Sequence, residues 1–178
     1  MRVSAVSGRV TVVAGSEFSV KGHADVRIDG SVATVAADSS RVEVTVPQGV
    51  HVAIGTTSGR IQARGQLGDT AITSVSGRVS VEHATSVDVR SGSGRVEVGA
   101  VDGMCRVRAD NGRVSVDRAG SADLATGSGR IEVGSVAGPV RAHSVSGRVT
   151  VGLSRAAEVD AETISGRIEV RLPRGVVA

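Results

Sequence analysis

Apolar and polar residues alternate along almost the whole chain, and the alternation restarts at a recurring Ser-Gly-Arg corner. Counting from the corner arginine, positions +1 and +3 are apolar: Ile61 and Ala63, Val79 and Val81, Val96 and Val98, Val114 and Val116, Ile131 and Val133, Val149 and Val151, Ile168 and Val170. Positions −8 and −6 behave alike: Val52 and Ile54, Val87 and Val89, Cys105 and Val107, Ala122 and Leu124, Val140 and Ala142, Val159 and Ala161. A period of two marks a strand with one face buried. Both sets reach one core only if parity flips at the Gly-Arg corner between them. Each repeat therefore predicts two strands, with a looser Gly/Ala/Asp stretch such as Gly99-Ala100-Val101-Asp102-Gly103 closing the circuit.

The corner arginines are Arg9, Arg41, Arg60, Arg78, Arg95, Arg113, Arg130, Arg148 and Arg167, and from Arg41 onward they are 19, 18, 17, 18, 17, 18 and 19 residues apart. So regular a period predicts stacked repeats. The expected fold is all-β, a single-domain β-solenoid of stacked coils of about 18 residues with two strands per coil. Residues 1–38 read as degenerate N-terminal coils or a cap, with Asp25-Val26-Arg27-Ile28 as the missing rung between Arg9 and Arg41; residues 39–178 read as the regular series, entered at Ser39-Ser40-Arg41, within one continuous domain. Val46-Pro47-Gln48-Gly49-Val50 recurs as Leu172-Pro173-Arg174-Gly175-Val176, which predicts an open sheet edge at the last coil. Within each corner the Ser at −2 (Asn111 in one coil) is expected to cap the turn, and the Gly at −1 to take positive φ.

Composition narrows the kind of core. Of 178 residues 40% are hydrophobic, but there is one Phe and no Trp or Tyr, so the core must be built from aliphatic ladders. Equivalent residues of stacked coils lie about 4.8 Å apart, and burying each Val or Ile contributes about 1.5–3 kcal/mol. Cys105 is the single cysteine, which excludes an intrachain disulfide and a cysteine-built zinc site; it falls on an inward column and reads as a core residue. The most apolar stretch, about six residues around Val32 to Ala37 and interrupted by Thr34, falls far short of the roughly 20 residues that span a bilayer. The first residues lie inside the repeat, without a leader pattern. The chain as written thus reads as soluble and cytoplasmic, with no transmembrane segment and peripheral envelope association left open.

Charge changes the picture more. The net charge is only +3. Yet the outward positions 0, +2 and +4 hold eleven arginines (the nine corners, Arg64 and Arg171) against six acids (Glu43, Glu82, Glu97, Asp117, Glu132 and Glu169), so that face is about +5 and the remainder about −2. The candidate partner-binding residues are Arg60, Arg78, Arg95, Arg113, Arg130, Arg148 and Arg167. One reading is a stripe for protein partners, anionic envelope polymer or an anionic lipid surface. The other is a solvated ladder whose arginine heads pair diagonally with Glu97, Glu132 and Glu169. Nucleic acid is disfavoured, because the chain has almost no aromatic side chain to stack on bases. A second ladder at −7, Asp88, Arg106, Asp123, Arg141 and Asp160, alternates in sign and reads as a device for stacking register.

Patterns for catalysis, metal or cofactor binding do not emerge. His23, His51, His83 and His143 occupy unrelated offsets, and the corner serines have no recurring His or Asp beside them. Gly92-Ser93-Gly94-Arg95 and Gly127-Ser128-Gly129-Arg130 join two strands, not a strand to a helix, so they are corners rather than phosphate loops. The expectation is a protein that is not an enzyme and carries no cofactor.

The run of Ser-Gly-Arg-[Val/Ile]-x-Val coils, preceded by Val44-Thr45-Val46-Pro47-Gln48-Gly49, resembles a bacterial adhesin-like family of unknown function related to the toast-rack domains of cell-envelope stress proteins. The resemblance covers about residues 40–178. It implies a stacked all-β domain, often beside membrane anchors, with no established enzyme activity and no catalytic residues to carry over. The expectation is therefore a non-enzymatic interaction scaffold linked to the envelope. The alternative is a structural polymer stacking end to end through open solenoid ends, as in bactofilin-like proteins.

Overall fold

The computed structural model describes residues 1–22, 25–29, 32–37, 41–155 and 157–172. His23, Ser39-Ser40 and the Pro173–Val176 segment lie outside the described residues. Strands make up nearly all of what is described, and no helix occurs among these residues. They are β1 (Arg2–Gly15), β2 (Ser19–Lys21), β3 (Asp25–Asp29), β4 (Val32–Ala37), β5 (Arg41–Pro47), β6 (Val52–Val136), β7 (Val140–Leu153) and β8 (Val159–Arg171). The 85 residues of β6 form one uninterrupted strand, because ladder bonding between coils continues through the corners.

The coils stack in parallel and in register. β6 meets β7 with Gly129 opposite Gly147 and Arg130 opposite Arg148; β7 meets β8 with Gly147 opposite Gly166 and Arg148 opposite Arg167. The order of stacking departs from the order of sequence at one place. β1 lies between two later coils, with Arg9 opposite Arg60 on one side and Arg41 on the other. That end of the stack is covered by two reversed strands: β2 runs antiparallel to β5, and β3 antiparallel to β4. Asp25–Ile28 is therefore not a rung of the parallel column. Arg9 and Arg41 are adjacent rungs already, and nothing is missing between them.

Parity follows the alternation. The −8, −6, +1 and +3 columns are buried from Val52 to Val151, with Ile61, Val89, Ile131 and Val149 fully so. A further inward column, Leu67, Ala84, Val101, Ala119, Val136 and Leu153, comes from the stretch expected to be only a loose corner. It closes the core on the side away from the glycine corners. Cys105 is buried on the −8 column, and burial pushes its thiol from 9.0 up to about 12. On β8 the same columns are incompletely covered: Val170 is 42% exposed, against 0% for Val151 one coil earlier.

The corners are held differently from the expectation. The buried hydroxyl at −4, not the exposed one at −2, makes the recurring bond. Thr56, Ser74, Ser91 and Thr126 each donate to the carbonyl two residues on (Ser58, Ser76, Ser93 and Ser128) at 3.3–3.4 Å. Position −4 shares the inward parity of −6 and −8, so its hydroxyl is taken out of water and must find a local acceptor. Among the −2 side chains only Ser76 makes a described bond, to the Thr57 carbonyl at 3.4 Å.

Candidate functional site

The corner glycines create the main surface feature. Gly8, Gly59, Gly77, Gly94, Gly112, Gly129, Gly147 and Gly166 have φ between 113° and 158°. From Gly59 onward, a Cβ on any of these would lie 1.9–2.1 Å from the carbonyl oxygen of the corner glycine one coil before. A side chain is thus excluded twice, by torsion and by stacking. The result is a groove of about 1490 Å³ running along the stack, floored by this glycine column and lined by all nine corner arginines.

The seven arginines singled out from sequence are all on that groove, joined by Arg9 and Arg41. The register places them one per coil. Arg95 and Arg130 pair with Glu97 and Glu132 of their own strand, at 3.7 and 3.5 Å. Glu169 pairs with Arg171 at 2.8 Å rather than with a corner arginine. For Glu97, Glu132 and Glu169 the expected diagonal pairing is thus replaced by pairing within a strand, where residues two apart share the outward face, while Arg64 pairs across one coil with Glu82 at 3.9 Å. Arg9, Arg41, Arg60, Arg78, Arg113, Arg148 and Arg167 have no ion-pair partner among the described residues.

In the −7 ladder, Arg106 Nε donates to Asp123 Oδ2 at 3.2 Å, while Asp88 pairs with Arg90 at 3.9 Å on its own strand. Arg141 stands between Asp123 and Asp160 in the register. Such part-exposed pairs contribute about 0.2–1 kcal/mol each.

Three histidines follow a rule that their sequence offsets conceal. His51 lies 3.1 Å from Asp69, His83 3.2 Å from Asp102, and His143 3.6 Å from Glu162, each pair separated by one coil. Spacings of 18 and 19 residues were the available signal. Ser86 donates to Asp69 at 2.5 Å, so the acid stands between Ser and His and the imidazole cannot take the serine proton. Among the described residues no three His, Cys, Asp or Glu side chains converge as metal ligands, and no helix is long and apolar enough to cross a membrane.

Chemically, the groove offers guanidinium donors over bare backbone. Guanidinium groups stay charged and present planar forks that match phosphate and carboxylate oxygens. The lining includes no nucleophile and no general base. Such a surface presents a file of fixed positive charge to anions. No curated protein matches the sequence. The model of the family described as Toastrack DUF4097 matches residues 36–177, from the end of β4 through β8. With the parallel stack, the glycine corners and this match over most of its length, the chain belongs to the Toastrack family.

Proposed function

We propose that this Toastrack domain is a non-enzymatic binding scaffold whose arginine groove holds anionic partners. One observation carries the reading: nine arginines line one groove, and seven of them lack an acidic partner among the described residues. Stacked cations about 4.8 Å apart along the backbone repel one another, and an anionic ligand converts that repulsion into binding energy. The resemblance to envelope-stress domains makes anionic envelope polymers and lipid surfaces the first partners to test. The triple variant R78E/R113E/R148E should lose binding to dextran sulfate and to phosphatidylglycerol vesicles, with circular dichroism unchanged. Undiminished binding to both would remove the groove from the function.

A second reading, self-assembly, has its own support. β8 has no strand on its far side among the described residues and exposes Ile164 at 78% and Val170 at 42%. Since β2 and β3 reverse direction across the opposite end, the assembly favoured is a pair joined through β8 rather than an open filament. A monomer–dimer step in sedimentation, abolished by Val170→Lys, is the expected result; filaments in electron micrographs would contradict the pairing.

A further inference from the structure

We infer that the groove's ligand is a single linear polyanion laid lengthwise along the stack, with at least one anionic group per ~5 Å, the coil spacing. The inference rests on the anion-binding reading above and gives its ligand a shape. Nine corner arginines make eight steps, and at about 4.8 Å per step the groove is about 38 Å long. A ligand extended along this file meets one guanidinium per coil. The arginines form a single file, which a linear chain can follow from end to end, whereas a bilayer spreads its charges over an area.

The floor also argues for rigidity. Each corner glycine from Gly59 onward packs on the carbonyl of the one before, too close to admit even a Cβ. The arginine file is thus held at fixed spacing, and an ordered file of charge is matched best by another. Phe18 is the only Phe, Tyr or Trp side chain, which leaves the polymer's charged groups, met by the arginine file, as the basis of recognition.

The test compares inorganic polyphosphate long enough to span the groove with tripolyphosphate, and with phosphatidylglycerol vesicles, on the full chain. Affinity per molecule should rise by at least about 100-fold from the short to the long phosphate chain, as linked sites engage together. For long polyphosphate, log K against log salt should have a slope of about −5, from seven unpaired arginines at roughly −0.7 each. R78Q/R113Q/R148Q should flatten that slope by about 2. R90Q/R108Q/R118Q removes the same charge from outside the groove and should leave the slope unchanged. Equal affinity per phosphate for both chain lengths, tighter binding to vesicles than to polyphosphate, or equal effects of the two triple variants would each overturn the single-file geometry while leaving anion binding intact. Binding to none of the three probes would overturn the anion-binding reading itself.

Discussion

Three glycine-to-alanine substitutions separate torsion from stacking. Gly55 has neither a positive φ nor any atom within 4 Å of an added Cβ. Alanine there should stabilise by about 0.4–1 kcal/mol, because it restricts the unfolded chain. Gly49 has φ 73° but also open space, so alanine should cost only the left-handed conformation, about 1–2 kcal/mol. Gly112 has φ 133°, and its added Cβ would sit 2.0 Å from the Gly94 carbonyl oxygen. The torsion alone costs about 1–3 kcal/mol. Relieving the contact means lifting one coil off the next, at about 0.5–1.5 kcal/mol for each ladder bond lost. At mid-range values and one ladder bond lost, Gly112→Ala should therefore cost about 3 kcal/mol, and more if further bonds open. Urea denaturation followed by circular dichroism measures the series. A split or broadened transition for Gly112→Ala alone would show the stack dividing at that coil, as expected where each repeat contacts only its neighbours. The reasoning is refuted if Gly112→Ala costs no more than Gly49→Ala.

The hydroxyls at −4 predict opposite signs at equivalent positions. Thr126→Val removes the bond to the Ser128 carbonyl and should cost about 0.5–1.5 kcal/mol, whereas the fully buried Ser144 Oγ has no hydrogen-bond partner among the described residues, so Ser144→Ala should be neutral or stabilising in thermal denaturation. Cys105 predicts an alkaline weakness: its thiol titrates near 9.0 in the unfolded chain and about 12 in the fold, so the native state keeps a proton that the unfolded state releases. The stabilisation is complete below pH 9 and is lost as pH rises toward 12, at up to about 1.4 kcal/mol per pH unit. Cys105→Ala should flatten the urea midpoint against pH over that window, and a slope identical to the parent's would refute the assignment. The native thiol should also resist a thiol reagent at pH 8 until the chain is unfolded.

Much of the fold is legible in the alternation itself. Val114 and Val116 on one side of a corner and Cys105 and Val107 on the other can share a core only with the parity flip that the structure has. The glycine at −1 is legible because few other needs explain its constancy. Other features have no local signal. Nothing near Arg9 distinguishes packing on Arg41 from packing on Arg60, and it does both, since every coil presents the same ladder. The −4 hydroxyls escape a reading that looks for caps on the exposed side of a turn. The histidine–acid pairs emerge only once residues 18 and 19 apart are known to be neighbours. For the groove, the arginine column is visible in sequence, but its concavity comes from backbone torsions at glycine.

The position of β1 has a consequence for how the chain is made and how it bears load. Its partners lie 32 and 51 residues downstream, at Arg41 and Arg60. At 5–20 residues per second, a ribosome leaves this strand waiting about 3–10 s for its second neighbour. Until β4 and β5 are made both of its edges are open, and until Arg60 emerges one still is. Once the stack is built the asymmetry reverses. Tension applied at the β8 end can peel coils away one ladder at a time, whereas tension on β1 must shear two ladders together. The stack thus has an end held by one ladder at β8 and a strand held by two at β1.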